Sequence, residues 1–167
     1  MKTLHILRHG KATYDYGSIQ DIDRPLIEKG IQNTYLIGSR FSTVLTKPDL
    51  IISSPAHRAI YTAIIFARTQ NISMDKIKIE QILYNDPFQT ILDFIKRVCP
   101  ELNSLMVVGH NTGFIDLVNE LILNKLEELP TSGLVSITFN CDKWTEIHKD
   151  ISSAIIDYPK KKIANIN

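Results

Sequence analysis

Short apolar runs alternate with longer segments of helical period along this chain. Thr3–Leu7 is a compact apolar run, predicted as a buried first strand. From Leu26 to Leu45 the positions Ile27, Ile31, Tyr35, Leu36 and Phe41 recur near every 3.6 residues and predict a helix. Pro25 suits the approach to it, where a missing N–H costs nothing. Pro48 and Asp49 break the chain before a second strand, Leu50–Ser53. Ser54, as N-cap, and Pro55, in the first turn, open a helix running to about Thr69. Ile77–Glu80 reads as a short edge strand. Phe88–Val98 reads as a helix with Ile91, Phe94, Ile95 and Val98 on one stripe, stopped by Pro100. Ser104–Val108 is the most strand-like run, and a helix over Asn111–Asn124 follows it directly. Strands at Ser132–Phe139 and Ile151–Asp157 complete the pattern. Residues 1–158 therefore read as one domain, and 159–167, with Lys160, Lys161 and Lys162, as a solvated, mobile basic tail.

Strand–helix alternation of this kind predicts an α/β fold, a three-layer α/β/α sandwich around a mostly parallel central sheet. Ligands in such folds bind beyond the carboxyl ends of the strands. The residues just after each strand are thus the ones to read for chemistry.

Composition narrows the classes. The chain has 167 residues, 44% of them hydrophobic, which suffices for a core without metal or disulfide. With 19 basic and 18 acidic residues the formal charge is +1, and no basic face for nucleic acid is expected. The two cysteines, Cys99 and Cys141, form no metal or redox spacing and read as reduced thiols. The N-terminal apolar stretch is too short for a signal peptide, and no apolar run of about 18 residues suggests a membrane span. A cytoplasmic location is the default expectation.

The strand ends carry a common chemistry. Arg8-His9-Gly10 follows the first strand, Ser54-Pro55-Ala56-His57-Arg58 the second, and Gly109-His110-Asn111 the Ser104–Val108 strand. Arg24 stands in the loop before the first helix, in Asp21-Ile22-Asp23-Arg24-Pro25. If these converge they make a dense cationic site. Arginine forks match tetrahedral oxyanions with paired, charge-assisted hydrogen bonds. A phosphoryl group, with about two negative charges at neutral pH, would satisfy them. Positive surroundings disfavour protonation of an imidazole, and a neutral imidazole nitrogen can attack phosphorus. Phosphoryl transfer demands positioning and charge neutralisation above all. His9 is thus the candidate nucleophile, with Arg8, Arg58 and His110 as catalytic partners, and Arg24, Asn111 and Gly10 as candidate substrate-binding residues.

These blocks resemble the histidine phosphatase superfamily, whose signature Arg-His-Gly is matched by Arg8-His9-Gly10. Ser53-Ser54-Pro55-x-x-Arg58-Ala59-x-x-Thr62-Ala63 resembles its second block, and Val108-Gly109-His110-Asn111 its last. The resemblance implies a phosphoglycerate mutase-like fold, a phosphorylated nucleophile at His9, phosphate clamps at Arg8 and Arg58, and a pocket completed by His110. Asp21-x-x-Arg24-Pro25-Leu26-x-x-x-Gly30 is similar to the first-helix approach of the short SixA-type phosphohistidine phosphatases, although Ile27 stands where those often have Thr or Ser. Related sugar-phosphate mutases use a glutamate acid after the third strand. Here that region reads Glu80-Gln81-Ile82-Leu83-Tyr84-Asn85-Asp86-Pro87, and Asp86 is the one candidate general acid. A phosphoramidate needs less help from an acid, which favours a phosphohistidine substrate, with a phosphohistidine-carrying protein as the expected partner. A small phosphatase for a sugar or nucleotide phosphate ester, and a non-catalytic phosphate-binding module, are the alternatives.

Plainer readings stand beside these. Arg24 could simply pair with Asp21 or Asp23. Asp86 could only start a turn before Pro87. His57 is expected on the exposed side of its helix, His5 in the core and His148 on the surface. Zinc on His9, His57 and His110 is disfavoured by the neighbouring arginines. The reading requires neither a metal nor another cofactor. The segment beyond Phe139 matches nothing assignable.

Overall fold

A computed structural model of the chain describes residues 1–14, 17, 19–41, 46–98 and 100–166, with the backbone only from 161 onward. Cys99 and the expected end of the first helix at Leu45 lie outside the described residues. Seven strands are numbered in chain order: β1 (Lys2–Arg8), β2 (Leu50–Ser53), β3 (Ile77–Ile79), β4 (Ser104–Gly109), β5 (Leu134–Phe139), β6 (Ser152–Tyr158) and β7 (Lys161–Ile166). They form one sheet in the order β3-β2-β4-β1-β5-β6-β7. The helices are α1 (Glu28–Phe41), α2 (His57–Thr69), α3 (Ile82–Asn85), α4 (Phe88–Lys96) and α5 (Gly113–Leu121).

The sheet is mixed. β3, β2, β4 and β1 run parallel, whereas β5, β6 and β7 are antiparallel to their neighbours. The expectation of a mostly parallel sheet thus holds for four strands of the seven. The other half needs no crossover helix, because antiparallel neighbours can be joined by short connections. The chain end also departs from expectation. Residues 161–166, read as a free basic tail, return as edge strand β7 against β6, through a turn at Pro159 and Lys160.

Side-chain alternation builds a core on each face of the sheet. Leu105 and Val107 of β4 join Leu4, Ile6, Ile95, Phe114 and Leu117 on the α4/α5 face. Met106 and Val108 point the other way, to Leu7, Ile37, Phe41, Ala63 and Phe66 on the α1/α2 face. Each fully buried large apolar side chain contributes roughly 1.5–3 kcal/mol. The result is the expected α/β/α layering.

The face of α1 corrects the periodicity reading. Tyr35 and Leu36 are exposed, and the buried stripe is Gly30, Thr34, Ile37, Gly38 and Phe41. Small residues are there because α1 packs tightly: an added Cβ at Gly30 would collide with the backbone of Lys11, and at Gly38 with Thr69. Gly30 therefore lets α1 lie directly against the segment that follows β1. α2 begins at His57, not Ser54, and its N-cap is Ala56.

Candidate active site

Strand register assembles the site. β4 lies between β1 and β2 with Arg8 opposite Gly109 and Ser53 opposite Val108. All three strands run the same way, so the residues following them emerge side by side at one edge. The His9 N–H donates to the Gly109 carbonyl (3.0 Å) and the Ser54 N–H to that of Val108 (2.9 Å), extending the pairing one residue past each strand. His9 and His110 consequently stand with ring centroids 4.8 Å apart.

A cavity of about 490 Å³ opens at this edge, lined by Arg8, His9, Asp21, Arg24, Arg58, Tyr84, Asn85, His110 and Asn111. Six of the expected residues are brought together there: His9, Arg8, Arg58, His110, Arg24 and Asn111. Gly10 is not among the lining residues. Its N–H is spent on Thr62 Oγ1 (2.9 Å), which in turn donates to the Arg58 carbonyl, so Gly10 ties the loop to α2. Asp86 also lies elsewhere. It lines an adjoining cavity of about 470 Å³ with Tyr84, Asn85, His110 and Asn111, on the α4/α5 side. His57 is exposed, near Asp23, and His5 is fully buried between Ser104 and Ser136, as expected of each.

Hydrogen bonds fix the state of the imidazoles. His9 Nδ1 is 2.7 Å from the Gly10 carbonyl oxygen. A carbonyl can only accept, so Nδ1 carries the proton and Nε2 of the neutral ring keeps its lone pair. Burial drives the His9 pKa down to about 4; the Gly10 hydrogen bond opposes this, and the charges of Arg58, Arg8 and Arg24 reinforce it. In His110, Nδ1 faces the Arg58 guanidinium (3.4 Å) and accepts from it, which leaves Nε2–H to donate to Ser54 Oγ (2.8 Å). Burial, then His9 and Arg58, lowers its pKa to about 3. Ser54, expected as a helix cap, thus acts mainly as the prop of His110.

The arginines are held by carbonyls. Arg8 Nη1 and Asn111 Nδ2 both donate to the Leu129 carbonyl, at 2.8 and 3.0 Å. Arg24 Nη1 donates to the Thr13 carbonyl (2.6 Å). Arg58 is 4% exposed and its Nε, like that of Arg8, is a buried donor without a partner. Asp21, Tyr84 and Asn85 line the cavity as well, although none of them was a site candidate in the sequence. Asp21 accepts from Arg24 (Nη2, 2.7 Å) and from Arg58 (Nη2, 2.8 Å) at once. Tyr84, on α3, donates to Asp21 Oδ2 (2.7 Å) and sets its ring edge-on to His110 at 5.5 Å. Arg24 thus pairs with Asp21 and also lines the cavity. Partial burial opposes ionisation of Asp21, but hydrogen bonds from Tyr84, Arg58 and Arg24 outweigh it and hold the carboxyl well below the usual carboxylate range.

These depressed histidines make stability pH-dependent. His5 and His9 are each lowered by burial to about 4, against about 6.5 in an unfolded chain. Below pH 6.5 the unfolded state takes up protons that the folded state refuses, so stability falls with pH until about pH 4. Thermal melts from pH 7.5 to 4.5 are expected to show a falling midpoint below pH 6.5. A flat midpoint over that window would contradict the buried neutral imidazoles.

The described residues contain no group of three His, Cys, Asp or Glu placed to hold a metal ion, and no helix among them is long and apolar enough to cross a membrane. A family model of the histidine phosphatase superfamily (branch 1) matches residues 4–81. Among solved structures, a chain from Agrobacterium tumefaciens assigned as a phosphohistidine phosphatase SixA is 30% identical, with a TM-score of 0.76 over 83% of this chain and 92% of that one. Another so assigned, from Nakamurella multipartita, is 19% identical with a TM-score of 0.81 over 96% and 97%. An uncharacterised protein of Mycobacterium tuberculosis is 28% identical over 160 residues, covering 89% of this chain and 96% of its own.

Proposed function

Because this chain belongs to the histidine phosphatase superfamily and is a phosphatase, we propose that it hydrolyses phosphohistidine through a phosphoryl intermediate on His9. One observation carries the assignment of His9: the Gly10 carbonyl holds the proton on Nδ1, so the free lone pair of Nε2 sits among three arginines. In the first step Nε2 attacks phosphorus in line, the P–N bond to the substrate breaks, and the departing nitrogen keeps the proton it carries. Arg8, Arg24 and Arg58 neutralise the transferred group. The Nδ1–H retained by His9 leaves the phosphorylated ring cationic, with the Gly10 carbonyl accepting from it. Water then attacks phosphorus, and His9 departs as neutral imidazole.

The choice of a P–N over a P–O substrate is supported by what the pocket offers as acid. Asp21 is the one carboxylate lining it among the described residues, and arginines hold it ionised. Asp86 lines the neighbouring cavity and is not among the residues lining this one. An alkoxide leaving group needs a proton donor, whereas a phosphoramidate nitrogen can leave already protonated.

The test is a comparison of kcat/KM on a phosphohistidine peptide and on a sugar phosphate. The peptide is expected to win by about 10²–10⁴-fold, the usual contribution of a general acid. EDTA is expected to leave both rates unchanged, since the nucleophile is an imidazole and the charge is met by guanidinium. A preference for the sugar phosphate would overturn the P–N reading. Activity lost to EDTA and restored by zinc would overturn the role of His9.

A further inference from the structure

We propose that Asp21 is a resident anion of the phosphoryl pocket: its carboxylate occupies the arginine donors until a dianionic phosphoryl group displaces it. The inference rests on the pocket reading above and adds how the pocket selects its ligand.

The donors are already engaged. Asp21 Oδ1 accepts from Arg24 Nε (2.9 Å) and Nη2 (2.7 Å), so one carboxylate oxygen closes the fork of Arg24. Oδ2 accepts from Arg58 Nη2 (2.8 Å) and from the Tyr84 hydroxyl (2.7 Å). Arg58 Nη1 goes to the backbone carbonyl of the same Asp21, and the remaining Nη2 proton faces His110. Arg24 Nη1 is committed to Thr13. A phosphoryl group cannot take the bidentate positions on Arg24 while Asp21 holds them.

The two sides of the contact differ in freedom. The Arg58 side chain is only 5% exposed, while that of Asp21 is 47% exposed and sits on a turn of three residues, Asp21–Asp23. The arginine stays and the carboxylate can swing out. Charge decides which anion wins. A carboxylate brings one negative charge and two oxygens, whereas a phosphoryl group brings nearly two charges and three oxygens. A monoanion such as a phosphodiester gains nothing over the resident, and must also meet a like charge if Asp21 remains. Asp21 therefore sets a threshold for occupancy: a dianion offsets the cost of displacing it, whereas a monoanion does not. Displacement also frees the Tyr84 hydroxyl, which then donates to the incoming oxyanion.

The experiment is competitive inhibition of p-nitrophenyl phosphate hydrolysis at pH 8 by inorganic phosphate and by dimethyl phosphate, in the native protein and in Asp21→Asn. Removing the competing charge is expected to tighten inorganic phosphate by at least about tenfold, as relief of like-charge contact implies. Dimethyl phosphate, barely inhibitory to the native protein, is expected to tighten by a similar factor and become a measurable inhibitor, because both anions are spared the same displacement. Phosphate binding that is unchanged or weaker in a folded Asp21→Asn protein would overturn the proposal and make Asp21 a strut for the arginines. A tungstate complex of the native protein decides independently of how the variant folds. Asp21 is expected off both Arg24 and Arg58 there, and its persistence on both would overturn the proposal. If the native protein bound neither phosphate nor tungstate in competition with substrate, the pocket reading itself would fail.

Discussion

Replacing His9 by alanine lowers turnover by at least about 10⁴-fold, the scale on which enzymes lose rate when a covalent nucleophile is removed, while the protein stays folded. The side chain lies at the edge of a cavity, not within either apolar core. Its one side-chain hydrogen bond is to the neighbouring Gly10 carbonyl, so its loss costs about 1 kcal/mol. In a chain of this size that moves the melting midpoint by roughly 2–4 °C. Two measurements check the expectation. Steady-state rates on a phosphohistidine peptide report the loss. Brief incubation with ³²P-labelled substrate then asks whether an acid-labile label sits on the native protein and is missing from His9→Ala. Undiminished turnover in the variant would end the proposal.

Arg58 is the second position with a large expected effect. Its guanidinium reaches Asp21, His110 and the cavity while being almost wholly shielded from water. Arg58→Ala is expected to lower kcat/KM by about 10³–10⁵-fold, the range associated with an arginine that neutralises a transferring phosphoryl group. Arg58→Lys should recover little, because an ammonium offers one charge centre where the site needs a planar fork touching several acceptors. Circular dichroism and thermal melts would show whether either variant keeps the fold. A folded Arg58→Ala protein within tenfold of native kcat/KM would exclude the clamp role.

Much of this site was legible in the chain because parallel strands deliver their ends to a common edge. Once Thr3–Leu7, Leu50–Ser53 and Ser104–Val108 read as strands, Arg8, His9, Arg58 and His110 had to lie near one another. Asp21 and Tyr84 were not legible for the opposite reason. Asp21 comes from a short turn whose path over the edge no periodicity records, and Tyr84 from a helix of four residues, too short to show a stripe. The buried face of α1 escaped because its contacts are made through Gly30, Thr34 and Gly38, where closeness of backbone matters and hydrophobicity does not. β7 was missed because a lysine-rich end reads as solvated, whereas an edge strand needs partners on one side only.

The place of β1 in the sheet has a consequence during synthesis. Its parallel partner begins at Ser104, opposite Thr3, and its other neighbour is the still later β5. At about 5–20 residues per second, a ribosome takes ~5–20 s to make the intervening hundred residues. For that time the most apolar part of the N-terminus has no sheet to join, and no nascent chain cut short before β4 can gather the histidines and arginines. Until then the emerging polypeptide has no assembled phosphoryl pocket, and its first apolar strand stays without a sheet partner over the same interval.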